Sequence, residues 1–187
     1  PGVDPIAVVR ALVDNLRAGR VVSGASTLSM QVARMVEPKP RTLRAKAVEA
    51  FRALQLERRL SKREVLEAYL NLAAFGGNVE GIGAAAWFYF GKSPVALSLG
   101  ETALLLALPR APVGYDPERS PEAAAHGREM VLRRLLDLGA VSEEAAARAR
   151  RQRIPGGRRP APFLAPHLAS MVGERSGAGT LRSTLDL

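Results

Sequence analysis

The segment that most constrains the fold is the apolar stretch LGETALLLAL, residues 99–108. It lies directly behind Ser98, and Ser98 and Glu101 have the spacing of a capping box, in which the two side chains satisfy free N–H groups at the start of a helix. Prolines at positions 109 and 112 end the helix. Because this helix is apolar on nearly all sides, the sequence predicts that it is buried.

The rest of the chain also carries helical signals. Ser61 and Glu64 have the spacing of a second capping box, and further helices are predicted over about 120–138 and 142–150. The expected core side of the helix at 120–138 consists of Met130, Leu132, Leu135, Leu136 and Leu138. About seven helices with short loops and almost no alternating β pattern predict an all-α fold. A chain of 187 residues, 47% of them hydrophobic, is sufficient for one core.

A second region, residues 21–56, contains the candidate functional residues. Small and hydroxyl residues at 24–31, GASTLSMQ, lead into a helix, and a basic run then ends at Glu49. Exposed donors followed by fixed cations suit an anion such as phosphate, and a lone carboxylate beyond them is a candidate acid, base or metal ligand. On a helical wheel Glu49 falls on the flank of the predicted core stripe. That stripe consists of Leu43, Ala47, Ala50 and Leu54.

Each of these pieces also has a purely structural explanation. Ser26 or Thr27 can be the N-cap of a helix, and basic residues usually form a solvated helix face. The glycine-rich loop at 75–81 is explained by a turn as well as by a ligand, and the aromatic residues at 87–90 are more typical of a core than of sugar stacking. The net charge of +9 implies an anionic partner, which could be nucleic acid, anionic lipid or a phosphorylated substrate.

These residues resemble the peptidoglycan glycosyltransferases (glycosyltransferase family 51), the N-terminal catalytic module of class A penicillin-binding proteins. The family's GGSTITQQ-like motif corresponds to residues 24–31, with Ala25 and Met30 departing from it. Its RKxxE-like motif corresponds to residues 45–49, with Ala45 in place of the usual arginine. Two further motifs follow in order within residues 69–92 and 103–117. The segments GASTL, FGG and WFYFGKSP are similar to the one-C subtype.

The resemblance implies a lysozyme-like all-α glycosyltransferase domain over residues 1–153, truncated at its N-terminus. A linker and the start of a transpeptidase-side segment, strand-like at its end, are expected over 154–187. The implied reaction polymerises lipid-linked disaccharide-peptide into glycan strands, with Glu49 as the catalytic residue. The implied substrate-binding residues are Ser26, Thr27, Gln31, Arg34, Arg41, Lys46, Asn71 and Lys92. The family's first motif, with the glutamate assigned as general base, would precede Pro1, so we expect this chain to be inactive alone.

The resemblance further implies a divalent cation, Mg²⁺ or Mn²⁺, between Glu49 and the substrate diphosphate. The expected partners are the lipid-linked precursor, the growing glycan strand, the membrane surface and a downstream transpeptidase domain, without nucleic acid. The expected location is the bacterial cell envelope, on the periplasmic side of the cytoplasmic membrane, with an anchor upstream of this chain. From the residues, two other functions stay open: a basic nucleic-acid-binding helical module, and a glycan-cleaving hydrolase that uses Glu49 as its acid.

Overall fold

The computed structural model of the protein describes residues 17, 26–38, 40 and 42–160. In this part of the chain the regular structure is helical, and β pairing is limited to one isolated antiparallel bridge between Ala74 and Glu80. The α-helices are α1 (Leu28–Val36), α2 (Leu43–Arg59), α3 (Lys62–Leu72), α4 (Ile82–Phe90), α5 (Leu99–Ala107), α6 (Pro121–Asp137) and α7 (Glu143–Arg151). Short 3-10 turns occupy Pro94–Ala96 and Leu108–Arg110. The predicted all-α class is therefore confirmed for the described residues. The predicted strand-like tail lies outside them.

The predicted capping boxes are both present. At the start of α3, Ser61 Oγ accepts from the N–H of Glu64, and the Glu64 carboxylate accepts from the N–H of Ser61 at 2.7 Å. At the start of α5, Ser98 and Glu101 make the same two bonds. Each box satisfies two donors that the first turn of a helix leaves free, which fixes where the helix begins.

Helix α5 packs against α4, α6 and α7, as its apolar sequence requires. Ala103, Leu104 and Leu105 are buried, and α7 approaches so closely that a Cβ at Gly100 would lie 2.7 Å from the carbonyl oxygen of Ala149. The prediction of burial on nearly all sides was too broad, because Leu106 is 45% exposed. That side chain lies in an open groove between α5 and α6.

The predicted core face of α2 was wrong. Of the expected stripe, Ala47 is exposed and Leu54 is 47% exposed. The side chain of Leu43 lies outside the described residues; among the side chains of α2 that are described, the buried ones are instead Ala45, Glu49 and Ala53. Helix α1 packs closely against α2, and small alanine side chains permit a short distance between two helices. Glu49 is thus inside the packed face and not on its flank.

The core side of α6 was predicted correctly only in part. Leu132 is fully buried and packs with Ala103 and Ala149 of the neighbouring helices. Met130 is 37% exposed and Leu138, which lies just beyond the last helical residue, is 62% exposed. The predicted face of α6 does include the buried Leu132, but one edge of that face lines the groove that also contains Leu106 of α5.

An ion-pair cluster joins α6 to α7. Glu129 accepts from Arg150 of α7 at 2.9 Å and from Arg133, one turn along α6, at 2.8 Å. These hydrogen bonds, with Arg150 as the larger contribution, lower the pKa of the Glu129 carboxyl. The cluster therefore stabilises the helix pair most when Glu129 is ionised.

The glycine-rich loop serves as a tight turn that is packed onto α4. The Phe75 N–H donates to the carbonyl of Val79 at 2.8 Å, and the Tyr89 hydroxyl donates to the carbonyl of Phe75 at 2.8 Å. Gly76 has φ +99°, and a Cβ there would lie 2.8 Å from the Tyr89 hydroxyl oxygen. Burial raises the pKa of Tyr89 to about 12, so its hydroxyl stays protonated as a donor at neutral pH.

The segment after α7 folds back onto the helical body. The Arg159 N–H donates to the carbonyl of Phe88 at 2.7 Å, and the Arg158 guanidinium lies 3.5 Å from the carboxylate of Glu118. Arg158 also covers Gly77, where a Cβ would lie 1.8 Å from the guanidinium. Residues 154–160 therefore contact the domain. The predicted boundary between 153 and 154 stays a prediction.

Candidate functional site

The candidate site is centred on the ammonium group of Lys46 in α2. Lys46 Nζ lies 2.9 Å from Glu49 Oε2, and it also donates to the hydroxyl oxygen of Ser26, the residue just before the N-cap of α1. Lys46 and Glu49 are three residues apart on one helix, so their side chains share a face. Contact with Ser26 requires α1 to pack against this face of α2. The structure thus brings together three of the residues that the sequence predicted.

Burial makes the three side chains interdependent. Glu49 is only 8% exposed, whereas the side chain of Lys46 is 42% exposed. A carboxylate removed from water needs a compensating charge, and Lys46 provides it. In return, Glu49 and Ser26 hold the ammonium in one position at the edge of the solvent. An ammonium has three N–H donors, and Ser26 and Glu49 account for two of them, so the contacts described here leave one for a ligand.

The start of α1 adds to the positive potential at this point. Thr27 is the N-cap and its hydroxyl oxygen accepts from the Met30 N–H at 3.2 Å, which is the structural role considered for it above. The Gln31 N–H donates to the Thr27 carbonyl at 3.0 Å, and the Gln31 side chain is half-buried. The N-terminal end of a helix dipole favours an anion. The fixed ammonium of Lys46 acts in the same direction.

The structure does not test the grouping of the other two predicted cations with Lys46. Arg34 lies in the last turn of α1, six residues beyond its start, which is about 9 Å along the helix axis. Arg41 falls outside the residues that the structure describes. The predicted cluster of Arg34, Arg41 and Lys46 therefore stays a prediction.

The structure places Asn71 and Lys92 in other surroundings. Asn71 is exposed near the end of α3, and its carbonyl lies against Gly81. Lys92 binds both carboxylate oxygens of Glu101, at 2.7 and 3.0 Å, and so neutralises the acid of the α5 capping box. The substrate-binding roles of Asn71 and Lys92 stay predictions.

Two residues that the sequence did not single out belong to the surroundings of the site. Ser29, in the first turn of α1, is 2% exposed and donates to Glu57 of α2, which also accepts from Lys62 of α3. The sequence signal for Ser29 was its place in the motif at residues 24–31, three residues after Ser26. Nothing local marked Glu57.

The described residues do not by themselves form a metal site. No group of three or more histidine, aspartate or glutamate side chains that could hold an ion is found in the described part of the chain. Glu49 offers a single carboxylate, and the Lys46 ammonium is bound to it. Hard divalent cations need several oxygen ligands, which these side chains alone do not supply. The expected Mg²⁺ or Mn²⁺ stays a prediction.

Comparisons with known proteins agree on one family. The family model described as "Transglycosylase" matches residues 1–136. Penicillin-binding protein 1C of Escherichia coli (strain K12) is 47% identical over 186 residues, which is 100% of this chain and 24% of that protein. Penicillin-binding protein 1A of Aquifex aeolicus is 45% identical over 144 residues, 76% of this chain and 20% of that protein. Penicillin-binding protein 1A of Escherichia coli (strain K12) is 40% identical over 175 residues, 91% of this chain and 20% of that protein. The chain thus spans about a quarter or less of each relative.

Proposed function

This chain belongs to the transglycosylase family, and from that premise we propose that it is a peptidoglycan glycosyltransferase domain. Its substrate is lipid-linked disaccharide-peptide, which it joins into the glycan strands of the bacterial cell wall. The observation that carries the proposal is the ammonium of Lys46, held by Ser26 and by the buried Glu49 beside the N-terminal end of α1.

The reaction needs a fixed positive charge at the leaving group. The donor is the growing strand on its lipid diphosphate, and its anomeric carbon is attacked by the 4-hydroxyl of an incoming unit. As the bond to the diphosphate breaks, negative charge accumulates on the diphosphate oxygens. Lys46 and the N–H groups at the start of α1 stabilise that charge without having to reorient, because their positions are set by packing.

Glu49 acts in this proposal by holding Lys46. Its carboxylate is already bound to an ammonium, so it is a poor acceptor for the hydroxyl proton of the incoming unit. The family resemblance assigns the general base to a glutamate outside the described residues, and we derive no step for it. Ser26, Thr27 and Gln31 then border the diphosphate at the start of α1, and we propose Arg34 and Arg41 as further cations for it.

The location and partners follow from the same proposal. A lipid-linked substrate requires the site to work at a membrane surface, and we propose the periplasmic side of the cytoplasmic membrane in the bacterial cell envelope. In the described part of the chain, no helix combines the length and apolar character that a bilayer crossing requires. The relatives are penicillin-binding proteins several times longer than this chain, which supports a transpeptidase domain as a further partner in the intact protein.

The test is a substitution of Glu49 in the intact protein. Glu49→Gln removes the charge that fixes Lys46, and we expect glycan synthesis from lipid-linked substrate to fall about a hundredfold. Circular dichroism should show an unchanged fold. The matched control is Glu80→Gln, because Glu80 is exposed in the glycine-rich loop and should tolerate the change. Near-normal synthesis by Glu49→Gln would remove this residue from the site.

The two alternatives have their own signatures in the same preparation. A hydrolase would release reducing ends from polymeric peptidoglycan, and a nucleic-acid-binding module would bind DNA or RNA with a steep salt dependence. Neither is favoured by the family match. Either result, without glycan synthesis, would contradict the proposal.

A further inference from the structure

A second set of contacts holds α1 against α2, separate from the Lys46 site. Ser29 is 2% exposed, and its hydroxyl donates to the carboxylate of Glu57 across 28 residues of sequence. The same carboxylate accepts from Lys62, so that Glu57 joins α1, α2 and α3. Hydrogen bonds from Lys62 and from Ser29 lower the pKa of Glu57, which is therefore ionised at neutral pH.

The two contacts with α2 act at different heights along that helix. Lys46 and Glu57 are eleven residues apart, close to three full turns, so they lie on one face and are separated by about 16 Å along the axis. Lys46 binds Ser26 before α1 begins, and Glu57 binds Ser29 in its first turn. A single contact would allow the start of α1 to pivot on α2. Two contacts at separate heights, added to the packing of the buried side chains of α1, restrict this movement more than either contact alone.

Helix capping does not explain why a serine occupies position 29. Thr27 is the N-cap of α1, and position 29 lies inside the helix, where alanine has the higher propensity. A buried hydroxyl also costs free energy unless it is hydrogen-bonded. Its presence is explained by the bond to Glu57.

We propose that Ser29 and Glu57 are positioning residues for the glycosyl transfer, which keep Ser26 in contact with Lys46. Ser26 lies outside the helix, so its hydroxyl goes where the first turn of α1 carries it. When the Ser29–Glu57 bond is lost, that turn moves, Ser26 leaves Lys46, and the ammonium loses one of the two groups that fix it. This inference rests on the function proposed above.

The experiment compares single and double substitutions in the intact protein with lipid-linked substrate. Ser29→Ala should lower kcat about tenfold or more with a much smaller change in KM, because misplacing a catalytic group affects the transition state. Ser29→Thr keeps the hydroxyl and should restore most of kcat. Ser93→Ala is the matched control, since Ser93 is exposed and makes no side-chain capping bond. Its kcat should be unchanged.

The decisive measurement is the combination with Ser26→Ala. If Ser29 acts through Ser26, the double variant should be no slower than Ser26→Ala alone. A purely structural role for Ser29 would make the two losses multiply, and multiplied losses would overturn the inference. If Ser29→Ala does not fold, Ser29→Cys provides the same comparison, because it nearly preserves the volume while weakening the donor.

The controls separate this inference from the proposed function. A wild-type intact protein that makes no glycan from lipid-linked substrate would overturn the proposed function, and the inference with it. A wild-type protein that is active, with Ser29→Ala as fast as wild type, would overturn the positioning role alone.

Discussion

Removing Lys46 should destabilise the protein more than removing the charge of its partner. In Lys46→Met the carboxylate of Glu49, only 8% exposed, loses its cation and stays buried. Breaking a fully buried pair in this way costs roughly 3–5 kcal/mol. Because the Lys46 side chain is 42% exposed, water can reach the vacated position and reduce the penalty. We therefore expect a loss of about 2 kcal/mol in the free energy of unfolding.

Substitution of Glu49, the other member of the pair, should lower the free energy of unfolding much less. In Glu49→Gln the neutral amide holds the Lys46 ammonium less firmly than the carboxylate does, and the partly exposed ammonium can turn to the solvent. The expected loss is under about 1 kcal/mol, the usual size for a hydrogen bond that is weakened and not removed. In the double variant no uncompensated charge is buried, so its stability should approach that of Glu49→Gln. The two single losses should therefore not add.

Urea unfolding of this chain, followed by far-UV circular dichroism, measures all three variants. With a urea dependence of about 2 kcal/mol per molar, a loss of about 2 kcal/mol lowers the midpoint by about 1 M. Arg52→Met is the control, because its pair with Glu37 is about half-exposed on both sides, at 3.6 Å, and such pairs contribute under about 1 kcal/mol. The reasoning is refuted if Glu49→Gln costs as much as Lys46→Met, or if the double variant is the least stable.

Three further tests of the fold use the same assay. Gly76→Ala places a side chain at φ +99° and 2.8 Å from a buried hydroxyl, and should lower the free energy of unfolding by about 2 kcal/mol. Gly83→Ala in α4 is its control: the added Cβ meets nothing within 4 Å and should raise the free energy of unfolding by up to about 1 kcal/mol. Because its arginine partners lower the pKa of Glu129, the stabilisation from Glu129 is present above the unfolded-state pKa near 4.5 and is lost as the pH falls through the lower folded-state pKa. Glu129→Gln should therefore flatten the loss of stability on acidification, and an unchanged pH profile would contradict this. Leu132→Ala should cost about 2–5 kcal/mol, and exposed Leu138→Ala under about 1 kcal/mol; equal losses would mean that the core has been placed wrongly.

Helix boundaries were readable from the sequence because their causes are local. The Ser98–Glu101 pattern predicts the start of α5 from side chains three residues apart, and both bonds are formed. The buried face of α2 was not readable, because hydropathy favours Leu54 over Ala53. The close approach of α1 reverses that order, burying Ala53 completely and leaving Leu54 47% exposed. Small residues at a helix contact are recognised only when the partner helix is known.

In the candidate site, too, the local contact was predictable from the sequence and the tertiary contacts were not. Lys46 and Glu49 are three residues apart, so their pairing follows from helical geometry and the sequence predicts it. The contact of Lys46 with Ser26 spans 20 residues, and that of Ser29 with Glu57 spans 28. Both depend on how α1 packs on α2, a tertiary property that no local pattern encodes. Resemblance to the family pointed to Ser26, but it gave no indication of Glu57.

The return of residues 154–160 onto the helical body determines how tension would enter this protein. A force that pulls on the chain beyond residue 160 would first load the hydrogen bond from Arg159 to Phe88 and the ion pair of Arg158 with Glu118. Those contacts lie at α4 and beside the glycine-rich loop, so α7 would bear load only after they had ruptured. The mechanical attachment point of the domain is therefore its glycine-rich loop and α4, and the C-terminal end of α7 is shielded.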